Sequence, residues 1–312
     1  MRLSLSPVAY RRIALAALLA LGFIVVTGGA VRLTGSGLGC SDWPSCEPDQ
    51  LTAQLEDTPA MIEFVNRTVT GLVSVAVIVA VLGSRFRRPA RRDLTWWSVG
   101  LVAGVAGQVV LGGLTVLFEL KPQFVMAHFL LSMVLVWNAV VLHHRAGEGI
   151  GEPTPVVPDL TRWLARAAVA LAGVVIVVGT VLTASGPHGG DEAAKRLDLV
   201  IEDVARVHGT LALTLLAVAA ALLWTVRSGP RAVRSRALVL TIVIVAQAAI
   251  GYVQYLNDIP ELLVGIHIAG AVTLWAAALE TLLATRTRPD EAPVAPAAAP
   301  LPRTQEEALV TA

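Results

Sequence analysis

Eight apolar stretches, each close to twenty residues or longer, run through this chain and leave few folds open to it. A helix that crosses hydrocarbon needs roughly 20 mostly apolar residues, because no water is present there to satisfy free backbone groups. The stretches occupy 13–31, 62–82, 94–117, 124–142, 163–183, 203–226, 237–256 and 261–284, separated by polar or proline-bearing segments. Only 15% of the 312 residues are charged and 55% are hydrophobic, whereas soluble domains carry about 25% charged residues. The expected fold class is therefore all-α integral membrane, with eight transmembrane helices. A net charge of +1 offers no surface for nucleic acid. The first stretch follows Tyr10-Arg11-Arg12 and is too long for the apolar region of a secretory signal. Thr34-Gly35-Ser36-Gly37 after it lacks a small-residue cleavage pattern, so it is expected to remain as a span.

Basic residues orient the chain. With the N-terminus in the cytoplasm, Arg2, Arg11, Arg12, the Arg85–Arg92 group, Arg145, Arg162, Arg166, the Arg227–Arg236 group, Arg286, Arg288 and Arg303 all fall inside. Arg32, Arg67, Lys121, Lys195, Arg196 and Arg206 remain outside. The expected location is the plasma membrane, multi-pass, with both termini cytoplasmic. The Ala-, Pro- and Glu-rich tail 286–312 has no periodicity and reads as disordered. The two cysteines, Cys40 and Cys46, fall in the first external loop. An oxidising compartment and their close spacing favour a disulfide-closed loop, serving as a staple or in redox or cofactor delivery.

An internal repeat divides the chain. Gln108-Val-Val-Leu-Gly112 in span three is echoed by Gln247-Ala-Ala-Ile-Gly251 in span seven, and a histidine follows each glutamine by twenty residues, at His128 and His267. Leu33-Thr34-Gly35-Ser36-Gly37 after span one is echoed by Leu182-Thr183-Ala184-Ser185-Gly186 after span five. Repeats with an even number of spans share one orientation, so the expectation is two pseudo-symmetric four-helix bundles. Residues 1–145 form the first half and 146–285 the second.

The repeat also organises the histidines. His128, His208 and His267 each lie about five or six residues inside a span, at one depth, and an ionisable group there is a functional-site hypothesis. Paired histidines facing each other in a helical bundle suit the two axial positions of an iron porphyrin. A zinc or copper site asks for further ligands. His208 and His267 make such a pair in the second half. Opposite His128 the chain has Asn66, with Glu63 one turn away. An incomplete pair beside a carboxylate suits oxygen chemistry better than electron transfer. Glu63 also reads as a solvated residue at a helix start, where negative charge is favoured. His143 and His144 read as solvated interface residues, His188 as a turn or site residue, and Gln108 and Gln247 as interhelical hydrogen-bonding groups beside glycines that permit close packing.

To about residue 285 the chain resembles the heme A synthase family. The resemblance rests on eight spans in two halves, on Thr34-Gly35-Ser36-Gly37-Leu38-Gly39-Cys40 with Asp42-Trp43-Pro44 and Cys46, and on the span-two glutamate followed by Arg67. Ser185-Gly186-Pro187-His188-Gly189-Gly190-Asp191 adds to it. It implies an oxidoreductase that converts heme O to heme A, oxidising the C8 methyl to a formyl group by successive hydroxylations, for cytochrome c oxidase. It further implies a resident heme b on His208 and His267, and substrate heme O in the first half, with Glu63 as catalytic carboxylate and His128 as a substrate-heme ligand. Asn66 stands where the family has a second histidine. Cys40 and Cys46 match a loop disulfide, and Arg32, Arg67 and Arg206 are candidate propionate contacts. Implied partners are heme O synthase, assembly proteins of cytochrome c oxidase and an electron donor. Two other classes stay open: a di-heme b-type electron-transfer protein, for which two complete histidine pairs toward opposite membrane surfaces are expected, and a heme carrier, which would leave its heme chemically unchanged.

Overall fold

The computed structural model describes residues 4–290. Among them are eight long helices: α1 (Pro7–Leu33), α2 (Thr58–Phe86), α3 (Arg92–Leu117), α4 (Pro122–Ala146), α5 (Asp159–Ser185), α6 (Ile201–Thr225), α7 (Arg231–Leu256) and α8 (Glu261–Leu283). All eight are long and apolar enough to cross a membrane. They start where the sequence offers caps or proline. Ser6 accepts the Ala9 N–H at 3.2 Å ahead of Pro7, and Asp57 accepts the Ala60 N–H at 3.1 Å ahead of Pro59. Two short strands, β1 (Thr154–Pro155) and β2 (Arg286–Thr287), pair antiparallel. The ordered chain thus continues past residue 286 to Asp290, and residues 291–312 of the expected tail lie outside the described residues.

Contacts close two rings. In the first, α1 packs on α2, α2 on α3, α3 on α4 and α4 on α1; in the second, α5 to α8 repeat the pattern. Helices α2 and α4 are therefore diagonal across one bundle, and α6 and α8 across the other. The bundles join where α8 lies against α1 and α4, with α5 beside α4. Val25, Met133, Val136, Val140, Ile176, Val272 and Leu279 pack along this seam, and the Trp275 indole donates to the Met133 carbonyl across it at 2.9 Å.

The pseudo-symmetry reaches the tight turns. Glu119 and Leu120 before α4, and Asp258 and Ile259 before α8, all hold left-handed backbone, with φ of 52°, 54°, 58° and 56°. These four positions are separated by the same interval as the Gln108 and Gln247 repeat.

One feature of the packing positions the site. The two bundle cores run from the middle of the helices toward their arginine-rich ends: Tyr10, Ala14, Ala17 and Leu21 of α1, Val73, Val77 and Ala80 of α2, Leu94 and Leu101 of α3, and Leu135, Ala139 and Leu142 of α4 form the first. The second core, centred on Ala172, Leu215, Ala219, Leu240, Ile244 and Ala278, is placed likewise. Toward the opposite, cysteine-bearing ends, the inner faces carry glycines and imidazoles instead.

Candidate functional site

The three site histidines project from the cysteine-side parts of α4, α6 and α8. His128 is six residues past Pro122, His208 seven past Ile201 and His267 six past Glu261, so each lies ~9–10 Å along its helix from that end. His208 and His267 face one another diagonally, with ring centroids 6.3 Å apart and planes at 66°. The Nδ1 atoms of His128, His208 and His267 are buried, with no hydrogen-bond partner.

Each ring is seated by a glycine on the preceding helix. A Cβ at Gly179 would lie 3.1 Å from Cε1 of His208, one at Gly251 3.5 Å from Cε1 of His267, and one at Gly112 3.4 Å from Cε1 of His128. The matched contacts in α3–α4 and α7–α8 show the internal repeat operating at atomic scale. The α3–α4 pair is tied further by Gln108, whose Nε2 donates to the His128 carbonyl at 3.1 Å and to Ser132 Oγ at 2.7 Å. Gln247, buried in α7, packs its amide into the groove left by Gly270.

A metal ion bound between two imidazoles at about 2 Å from each nitrogen places the ring centres about 6 Å apart. The His208–His267 separation fits that requirement. Among the described residues no group of three or more His, Cys, Asp or Glu side chains is arranged to hold a metal ion. Two facing imidazoles would suit an iron whose remaining nitrogen ligands come from a macrocycle, with His208 and His267 holding it and Gly179 and Gly251 backing the rings.

The first half differs at the diagonal partner. Asn66 accepts a hydrogen bond from Thr27 Oγ1 at 2.8 Å through Oδ1, its main acceptor atom, and a Cβ at Gly28 would lie 4.0 Å from its Nδ2. One turn before it, Glu63 is buried, and both of its carboxylate oxygens are engaged. Oε2 accepts the Cys40 N–H at 2.9 Å, and Oε1 accepts Arg67 Nη2 at 2.6 Å and Nε at 3.1 Å. The solvated reading of Glu63 is therefore set aside. The disulfide loop folds onto α2 to make this possible: a Cβ at Gly39 would overlap the backbone of Pro59 and Ala60. The Cys40–Cys46 disulfide is formed.

The arginines divide. Arg67 donates to the Asp42 and Ser45 carbonyls as well as to Glu63, and lies 5.3 Å over the Trp43 ring, so it serves as the hub of the disulfide loop. Arg206 is exposed and pairs with Asp203 at 3.0 Å. Neither presents a free guanidinium toward the histidines. Arg32 donates to the Thr183 carbonyl at 2.7 Å, linking the end of α1 to the end of α5. His188 bridges two loops through the Ile259 carbonyl at 2.7 Å.

At the arginine-rich end the expectation of solvated histidines is corrected. His144 is largely buried and meets Glu280 of α8 at 3.1 Å, and Arg236 of α7 reaches the same carboxylate at 3.3 Å. Packing of α4 on α8 buries a helix face that α4 alone would expose. Beside it, the hydrogen bonds that Arg91 donates to the Asp93 carboxylate hold the Arg91 guanidinium above its usual range.

The model of the cytochrome oxidase assembly protein family, COX15-CtaA, matches residues 11–186, more than half of the chain. The chain belongs to that family. The heme A synthase of Listeria monocytogenes strain EGD-e is 33% identical over 122 residues, 38% of this chain and 40% of the relative. Those of Exiguobacterium sibiricum and Lysinibacillus sphaericus are 26% identical over 137 residues and 30% over 124, covering 42% and 39% of this chain and 46% and 39% of theirs. The aligned part thus spans less than half of each relative. The family match ends at Gly186, before His208 and His267. For the second-half pair, the internal repeat and the imidazole geometry carry the argument.

Proposed function

We propose that this chain is a heme A synthase: an oxidoreductase in which the second bundle holds a heme b on His208 and His267 and the first bundle receives heme O at His128. The observation that carries the reading is the diagonal His208–His267 pair at 6.3 Å, set in a glycine-lined region outside the hydrophobic core. It is supported by family membership and by relatives named heme A synthase. Bound iron porphyrin supplies oxidising power and electron transfer. The net change on the substrate is a four-electron oxidation, two successive hydroxylations of the C8 methyl with dioxygen as the terminal oxidant, giving a hydrated aldehyde that loses water.

The chain's own residues supply position and electrostatics. His128, backed by Gly112 and by the Gln108 bond to its backbone carbonyl, offers one imidazole to the substrate heme. Asn66, engaged by Thr27, offers no comparable donor on the opposite face, since an amide oxygen binds iron poorly next to imidazole. Glu63 is the catalytic carboxylate in this reading. Cys40 and Arg67 hold it at a fixed orientation beneath the disulfide loop, so its charge is placed before substrate arrives. The disulfide loop acts as a staple in this scheme, and the helices shield the reacting carbon from bulk water.

The arginine distribution orients the protein in the plasma membrane with both termini cytoplasmic and the disulfide loop outside. Heme O synthase, assembly proteins of cytochrome c oxidase and an electron donor are the partners this role requires. The test is expression with a heme O source, followed by extraction and analysis of the pigment. A formyl-bearing heme is expected. Recovery of heme O alone, under conditions where the protein binds it, would overturn the synthase and leave a carrier or electron-transfer protein.

A further inference from the structure

At the cysteine-side end of the seam between the bundles, two arginines stand without a countercharge. Arg32, in the last turn of α1, uses Nη2 on the Thr183 carbonyl, while its Nε is buried with no partner. Arg196, in the segment between α5 and α6, donates through Nη2 to the Pro187 carbonyl, and its Nη1 is likewise buried with no partner. Neither belongs to an ion pair among the described residues. Arg196 lies against Gly189 and Arg32 against the adjacent Gly190, so the two cations are neighbours. A buried donor left unpaired costs roughly 1–3 kcal/mol, and more when it is charged.

Two consecutive glycines make room for this pair. A Cβ at Gly189 would overlap the Arg196 guanidinium, and one at Gly190 would lie 3.5 Å from Arg32 Cγ. Gly190 also holds φ of +101°, a conformation that side chains rarely adopt, and its carbonyl accepts the Gly37 N–H at 2.8 Å. The Gly-Gly step thus brings the α1 end and the α5–α6 segment together around both guanidinium groups.

Arg196 also lines a cleft of about 750 Å³ between the ends of α5, α6 and α7, with Ser185, Ile201, Tyr255 and Ile259. Glu202 and Asp258 stand on its exposed rim and pair with neither arginine. Ile201 is seven residues from His208, ~10 Å along α6. The cleft therefore lies at the cysteine-side end of the helix that carries His208.

We propose that Arg32 and Arg196 form a carboxylate site, one arginine from each half, that receives a propionate of the heme held by His208 and His267. It rests on the reading of the second bundle as a heme site and names the anion partner of that heme. It replaces Arg206, which is exposed and already paired, in that role. Because Arg32 belongs to the first bundle, the second-half heme is held partly by the half that receives substrate.

The experiment uses the full-length protein purified in detergent from heme-limited cells and titrates it with protoheme IX and with its dimethyl ester, which lacks propionate charge. Wild type is expected to favour the diacid by about tenfold or more, the size of a charge-assisted hydrogen bond. Arg32→Gln and Arg196→Gln should each shrink that preference and lower the midpoint potential of the bound heme, since a nearby cation favours the reduced, less positive iron. Arg196→Lys should recover part of the preference, and Arg206→Gln should leave it unchanged. Equal affinity of wild type for acid and ester, or undiminished preference in both Gln variants, overturns the propionate site alone. Failure of wild type to bind either compound overturns the heme reading, and the propionate site with it.

Discussion

At the residue scale the charge of a side chain mattered less than what it touches. Arg67 and Arg206 looked like Arg32 in the sequence, as cations at the outer ends of spans, yet Arg67 is committed to Glu63 and Arg206 to Asp203. Arg196 gave no such signal, because its neighbours come from the Gly189 turn and from α1. The histidines were legible because an imidazole inside an apolar span is costly and therefore conspicuous. His208→Ala and His267→Ala should each abolish a low-spin heme b spectrum in the purified protein; an unchanged six-coordinate spectrum in both would refute the ligand pair. Glu63→Gln keeps size but removes the negative charge facing Arg67. Heme A formation should drop by roughly 100-fold or more while second-half heme content stays constant, and wild-type turnover would reduce Glu63 to an anchor for the loop. In the first half, activity should disappear in His128→Ala and survive in Asn66→Ala, whereas Asn66→His should drive bound heme O toward a six-coordinate, low-spin form in paramagnetic resonance. The reverse dependence on positions 66 and 128 would show that the wrong residue has been assigned to the iron.

At the element scale, all eight spans were legible, and their errors have one cause. The helices α1, α2, α4, α5 and α7 run four to six residues further than the apolar stretches at their arginine-rich ends. Hydropathy measures where hydrocarbon stops, whereas a helix continues into the interface until a cap or proline ends it. At the cysteine side of α7 and α8 the limits agree, because the turn through Asp258 and Ile259 closes immediately. That turn and its partner at Glu119-Leu120 were invisible in the sequence, since none of the four residues is glycine. Left-handed backbone costs roughly 1–2 kcal/mol for such residues. Glu119 is exposed, so Glu119→Gly should relieve strain and raise the unfolding temperature in detergent modestly, by an amount equivalent to about 0.5–1 kcal/mol after the entropy cost of glycine. A lowered midpoint would mean that the turn is held by more than backbone preference.

At the scale of the whole molecule, two bundles share one seam that is apolar along its length and charged at its arginine-rich end. His144, Glu280 and Arg236 join α4, α8 and α7 there. Glu280→Gln should weaken both ion pairs and leave partly buried groups unsatisfied, lowering stability by roughly 1–3 kcal/mol. The midpoint of thermal unfolding in detergent measures it, and an unchanged midpoint would show that these ion pairs do not help to join the halves. The sequence by itself determined the membrane class, the count of helices and the family, because hydrophobic length and the spacing of glycine, cysteine and histidine motifs are local properties. Tertiary structure alone decided that Glu63 lies beneath the disulfide loop, that His144 is largely buried, and that Arg32 and Arg196 lie against the same Gly189-Gly190 step. Those outcomes depend on which helix faces and loops are brought together, and such contacts between residues far apart in the chain leave no periodic trace in its sequence.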